Sequence, residues 1–316
     1  MGLLRYHSIM RWPRPGLPLA IVLATAFAAM PLAQLPASDR DTLPKPKPRC
    51  ERAAFRVLLD VGHSAEDPGA RSARGVTEYE FNLRLTREIE RSLKDAGFTQ
   101  TVVLVSEGAA IPSLISRMRR ANAVPADLLV SIHHDSVPER FLEPWFSGGN
   151  PTRFSDRFRG HSIFVSFENS RAKDSLQFAS LLGAELKARD LSYTPHYTER
   201  FMGGRQRELL DKQAGVYRFD KIFVLRTAQM PAVLFEAGMI VNRDEELVLT
   251  TQERQNTMAL AATDAIDSFC AQRQATIRAA TERRHRKIPR LGRTHTENAP
   301  TGARPAEEPA TARLLR

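Results

Sequence analysis

Val57-Leu58-Leu59-Asp60-Val61-Gly62-His63 is an apolar run that ends on a histidine. Two later runs share its form. Asp127-Leu128-Leu129-Val130-Ser131-Ile132-His133 also ends on a histidine, and Pro231-Ala232-Val233-Leu234-Phe235-Glu236 ends on a carboxylate. Short apolar runs bounded by turn residues are strands buried on both faces, as in a parallel sheet. Between the first two runs the period changes. Phe81, Leu85, Ile89 and Leu93 fall every four residues beside Leu83, which predicts a helix over about Glu78–Ala96. Thr77 suits its N-cap, with Glu80 three residues later as a capping-box partner, and Gly97 suits its C-terminal stop.

The pattern continues outward. The first strand is expected over about Phe55–Val61, then a strand at Thr101–Val105 and a helix at about Pro112–Ala123. After the His133 strand come a long loop at 136–160, a strand at His161–Phe167 and a helix at about Ser175–Arg189. A loop-like stretch at 190–220 precedes strands at Ile222–Arg226 and Ala232–Phe235 and a helix at about Thr251–Phe269. Alternating strands and helices predict an α/β fold: a single domain with a largely parallel mixed sheet flanked by helices on both faces.

The 316 residues carry a net charge of +10, unevenly placed. Residues 1–49 hold seven Lys/Arg and two Asp, and residues 272–316 hold eleven Lys/Arg and four Glu, so 50–271 is near −2. Basic ends around an acidic core argue against nucleic acid as a partner, which calls for a basic face on the folded domain. Arg5, Arg11 and Arg14 precede the uncharged run Leu17–Leu35, and small residues follow near Ala33 and Ala37. That order reads as an export signal over 1–37, or an uncleaved anchor, so the protein is expected to be exported. Residues 38–50, with Lys45-Pro46-Lys47-Pro48-Arg49, read as a linker, 51–271 as the catalytic domain, and 272–316 as a basic disordered tail. The tail is suited to electrostatic contact with an anionic wall polymer or membrane. Cys50 and Cys270 bracket the core, where an exported protein can join them in one disulfide.

Strand carboxyl ends gather at one edge of an α/β sheet, where ligands bind. Two histidines and a carboxylate meeting there supply three metal ligands and leave a fourth position for water. A further carboxylate beside that water is the general base. Periodicity leaves two choices open. His134 competes with His133, because alternate strand residues face opposite ways, and Glu80 competes with Glu78.

Five blocks resemble the zinc-dependent N-acetylmuramoyl-L-alanine amidases of bacterial cell-wall turnover. They are Asp60-Val61-Gly62-His63, Asp67-Pro68-Gly69-Ala70, Glu78 with Asn82-Leu83, Ser131-Ile132-His133, and the late block. The last comprises Val224-Leu225-Arg226, Pro231 through Gly238, and Asn242. The resemblance covers about 55–270. It implies that His63, Glu78 and His133 hold Zn2+ and that Glu236 is catalytic. The implied reaction is hydrolysis of the amide between N-acetylmuramic acid and L-alanine in peptidoglycan. The chain departs from the family at Ser64-Ala65 (commonly Gly-Gly), at His134 (commonly small) and at Glu236-Ala237-Gly238-Met239 (commonly Glu-Thr-Gly-Phe). None of these removes a ligand. Arg226 and His196 are weaker candidates for contact with the peptide.

Two other readings compete. A zinc carboxypeptidase or peptidase uses the same three-ligand site, and the order of the blocks favours the amidase. A non-catalytic wall-binding protein would have no need of the complete ligand set with Glu236.

Overall fold

Alternation along the strands sorts side chains between two cores. In the computed structural model, which describes residues 49–287, β1 (Val57–Ser64) sends Val57 and Leu59 to one face and Leu58 to the other. Helix α1 (Glu78–Asp95) lays Phe81, Leu85, Ile89 and Leu93 on the first face, each at most 3% exposed. Burying side chains of this size stabilises by roughly 1.5–3 kcal/mol each. The Thr77 oxygen accepts the Glu80 N–H, so the expected cap forms, and Gly97 takes φ 97° at the exit.

The chain continues through β2 (Val102–Ser106), α2 (Ala110–Ala123) and β3 (Leu128–Asp135). Next come β4 (Glu143–Ser147), β5 (Asn150–Phe154), β6 (Ser162–Val165) and α3 (Ala172–Lys187). Then follow β7 (Glu208–Asp211), β8 (Val216–Arg218), α4 (Phe223–Thr227) and β9 (Ala232–Met239). Helices α5 (Arg243–Leu249) and α6 (Gln252–Lys287) close the described chain. The seven-stranded sheet runs β2-β1-β3-β9-β6-β8-β7. Its first four strands are parallel, β6 is antiparallel to β9, and β7 is antiparallel to β8. Helices α1, α3 and α6 cover one face, while α2 and α4 cover the other. This is the expected α/β fold with a mixed, largely parallel sheet.

Four local expectations change. The 136–160 stretch holds the antiparallel β4–β5 hairpin, whose Gly148 and Gly149 both take positive φ, as a tight hairpin turn requires. The 190–220 stretch contains β7 and β8. Ile222–Arg226 is not a strand. Phe223–Thr227 is the short helix α4, because Asn169 Nδ2 donates to the carbonyls of Leu225, Ala228 and Met230 and satisfies the helix end. Finally, 272–287 is helical as the end of α6, not a disordered tail. Ala, Gln, Arg and Glu are strong helix formers even without an apolar stripe, and Arg273 pairs with Asp174 at 3.1 Å. The export segment, most of the linker and residues 288–316 lie outside the described residues.

Cys50 and Cys270 are joined by a disulfide, with Cα atoms 5.3 Å apart. It ties the start of the described chain to α6 beside Phe55, Phe98 and Phe269.

Candidate metal centre

The parallel pairing of β1, β3 and β9 puts the three chemical blocks side by side. His133 lies opposite Glu236 in the β3–β9 register, so their side chains share a face. Glu236 is not at the strand end. The pairing continues to Asp135 opposite Met239, which places Glu236 inside β9. His63 adopts φ 67° at a register break against β2. A non-glycine residue held there stores roughly 1–3 kcal/mol of strain, of the kind found at functional sites.

Glu78, at the first position of α1, meets both histidines. Its Oε2 lies 3.1 Å from His63 Nε2 and its Oε1 2.9 Å from His133 Nδ1. One atom from each of the three residues falls within 4.8 Å of the others. The main-chain N–H of Ala70 donates to Glu78 Oε2 at 3.1 Å, and Asn82 Nδ2 donates to Oε1 at 3.3 Å. Burial alone would raise the Glu78 pKa, but the two histidines beside it outweigh burial and hold it well below the usual range.

Two glycines make room for the cluster. A Cβ on Gly62 would stand 2.5 Å from the His133 ring. One on Gly69, at φ 74°, would stand 2.6 Å from both Glu78 Oε2 and His63 Nε2. Two imidazoles and a carboxylate in this cradle fit a divalent metal of zinc's ligand preference.

The two open choices are decided by direction. His134 turns to the α1 face, where its Nδ1–H donates to Asn82 Oδ1 at 2.8 Å. Burial pushes its pKa down to about 3, so it is neutral. Glu80 is exposed and bound to Thr77 at the helix cap.

Beside His133, Glu236 Oε2 is shielded from solvent and has no hydrogen-bond partner among the described residues. Burial pushes its pKa well above the usual carboxylate range, helped by the charges of Asp135 and Glu78. Asp135 accepts from the Tyr197 hydroxyl at 2.8 Å, and burial pushes its pKa up to about 7. Sequence reasoning missed this Asp135–Tyr197 pair. Asp135 follows His133 by two residues and was legible, but Tyr197 arrives from a distant turn. Asp60 is a further functional-site neighbour that no local pattern singles out. Buried in β1, it pairs with Arg117 of α2 at 3.1 Å and accepts from Ser131 Oγ at 2.7 Å. A carboxylate inside an apolar strand requires such a partner. Arg117 also lines a cavity of about 250 Å³ that opens on His63 and His133, with apolar walls from Ile111, Leu114, Phe223, Val224 and Leu234.

The weaker candidates do not join this site. Arg226 lies on α4, not at a strand end, and faces Glu168 at 3.7 Å. It does not line the cavity at His63 and His133. His196 is buried. Its Nδ1 bonds Thr194 Oγ1 at 2.6 Å, its ring packs on Tyr197, and burial lowers its pKa to about 4.

A family model for N-acetylmuramoyl-L-alanine amidase matches residues 57–268. The chain belongs to this family. An uncharacterised protein of Bacillus subtilis strain 168, YqiI, is 30% identical over 213 residues, covering 67% of this chain and 84% of that one. N-acetylmuramoyl-L-alanine amidase AmiA of Salmonella typhimurium is 26% identical over 270 residues, covering 78% of this chain and 90% of AmiA. The amidase Ami1 of Mycobacterium smegmatis superposes with a TM-score of 0.53 at 22% identity, covering 69% of this chain and 98% of Ami1. That likeness concerns the fold alone.

Away from this centre, the amidase-family fold carries a third buried histidine whose pKa is lowered. His161 is 3% exposed and its Nε2 has no hydrogen-bond partner. Burial lowers its pKa to about 4, against about 6.5 in an unfolded chain. Between those values the unfolded chain binds a proton that the folded one refuses. The contribution is therefore present above pH 6.5 and lost as the pH falls towards 4, by roughly 3 kcal/mol at most. His161→Gln is expected to flatten this part of the stability–pH curve in urea unfolding between pH 4 and 7. An unaltered slope would refute the assignment.

Proposed function

We propose that the protein hydrolyses the amide between the lactyl group of N-acetylmuramic acid and L-alanine in peptidoglycan. His63, Glu78 and His133 hold zinc, and Glu236 is the general base. The observation that carries this reading is the convergence of three ligand atoms within 4.8 Å, next to an unpartnered carboxylate, in a chain of this family.

Bound zinc would acidify a water molecule and polarise the scissile carbonyl. The chain's own groups do the rest. Ala70 N–H and Asn82 Nδ2 orient the Glu78 carboxylate beside the two histidine rings. Glu236 accepts a proton from the attacking water and returns it to the leaving amine. Its raised proton affinity suits that transfer, because it has no donor to stabilise its anion. The Tyr197–Asp135 hydrogen bond lies close enough to Glu236 to act on its charge. Export to the cell envelope is part of the same reading, and the Cys50–Cys270 bond supports it, since disulfides persist in oxidising compartments.

The test is mass spectrometry of purified peptidoglycan incubated with the full chain and zinc, with and without a chelator. Free stem peptides beginning at L-alanine, lost with chelator, are the expected product. Shortened stems still attached to muramic acid would instead identify a peptidase.

A further inference from the structure

A second cavity, of about 660 Å³, opens beside the metal centre between the 70–75 loop and the β4–β5 hairpin. It begins at Ala70, whose N–H binds Glu78, and at Ser136, the residue after Asp135. Its lining carries Arg71, Arg74 and Arg153 against a single carboxylate, Glu139.

The three arginines are not equivalent. Arg74 is already engaged: its Nη1 lies 2.7 Å from buried Glu246, and its guanidinium covers the Trp145 ring at 5.6 Å. Arg71 has no carboxylate within ion-pair distance among the described residues. Its Nη1 donates to Gly75 O at 3.0 Å, which leaves most of the guanidinium fork free. Arg153 approaches Glu139 only to 3.6 Å, on a glutamate side chain that is 86% exposed. Such a surface pair contributes little. Thr152, in the same lining, has a shielded Oγ1 without a partner. Two cationic forks thus face a cavity large enough for several residues of peptide.

The scissile amide has chemically different sides. On the acyl side is a lactyl group on a hydroxyl-rich sugar whose own carboxyl is consumed in the amide. On the amine side is a peptide with free carboxylates. The cavity at His63 and His133 is walled mainly by apolar side chains, and its one arginine, Arg117, is already paired with buried Asp60. Guanidinium forks match carboxylates with paired, charge-assisted hydrogen bonds. We propose that Arg71 and Arg153 bind the carboxylates of the stem peptide. The hairpin-side cavity then takes the amine side of the substrate, and the apolar cavity takes the muramoyl side. This rests on the amidase reading above and adds to it a direction and a substrate preference.

The test uses the full chain with zinc and two N-acetylmuramoyl peptides, one with free carboxylates and one with those carboxylates amidated. The Arg71→Gln/Arg153→Gln double variant is expected to raise KM for the first about 10- to 100-fold, the range of charge-assisted hydrogen bonds. Its kcat should stay near wild type, and the amidated compound should be cleaved as before. Arg278→Gln, an exposed arginine of α6, is expected to change neither. An equal rise for both compounds, or for neither, overturns the proposal. Calorimetry with the free stem peptide separates the two layers. Binding lost in the double variant, without cleavage of any muramoyl amide, would keep the groove and remove the amidase reading. Cleavage without discrimination would do the reverse.

Discussion

Glu236→Gln is expected to lower amide hydrolysis by about 10²- to 10⁴-fold, the range that a positioned general base contributes. The change keeps the shape of the side chain and removes its proton chemistry. Metal content should be unchanged, since the proposed ligand atoms are those of His63, Glu78 and His133. Stability should hold or rise. Glu236 lies near the carboxylates of Asp135 and Glu78, and a neutral amide relieves that crowding. Steady-state kinetics on a muramoyl peptide, zinc analysis and a thermal melt on one sample check all three expectations. Full activity in the variant would remove Glu236 from the mechanism. A loss of activity that tracked a loss of zinc would make it a structural residue instead.

Reduction of Cys50–Cys270 is expected to have the largest effect on stability. The bond closes a loop with a sequence separation of 220 residues. Chain-entropy reasoning gives about 5 kcal/mol for a loop of that length, as a ceiling, because residual structure in the unfolded chain lowers it. For a domain of this size that corresponds to a fall in Tm of roughly 10–20 °C. The position favours a large effect. Cys270 is fully buried, in the same core as Phe55, Phe98, Phe178 and Phe269. Calorimetry with and without reductant, alongside a thiol titration, measures it. A Tm unmoved while two thiols titrate would show that α6 is held by packing alone. A Cys50→Ala/Cys270→Ala variant should melt with the reduced protein.

Much of the fold and the candidate site is legible along the chain because both rest on local periodicity. The near-continuous apolar run Leu128–Ile132 marks a strand buried on both faces, and the four-residue spacing of Phe81, Leu85, Ile89 and Leu93 marks the buried face of a helix. Elements buried in that way have few ways to stack, so an α/β sheet follows. The ends of those elements carry His63, Glu78 and His133, and parallel pairing brings strand ends together without further instruction. What depends on contacts between distant segments is not legible in this way. Ile222–Thr227 has the composition of a strand and folds as a helix because Asn169 satisfies its carbonyls. Arg226 therefore leaves the site, and His196 is buried against Tyr197. His134 and Glu80 are chemically fit to bind metal, and only side-chain direction sets them aside. The sequence by itself determined the α/β class, the buried central strands and the residue types at their ligand-binding edge, because hydrophobic burial acts on patterns a few residues long. The tertiary structure alone decided the Asp135–Tyr197 pair, the Asp60–Arg117 pair and the arginine-lined cavity, because each joins groups far apart in the chain whose meeting no local period encodes.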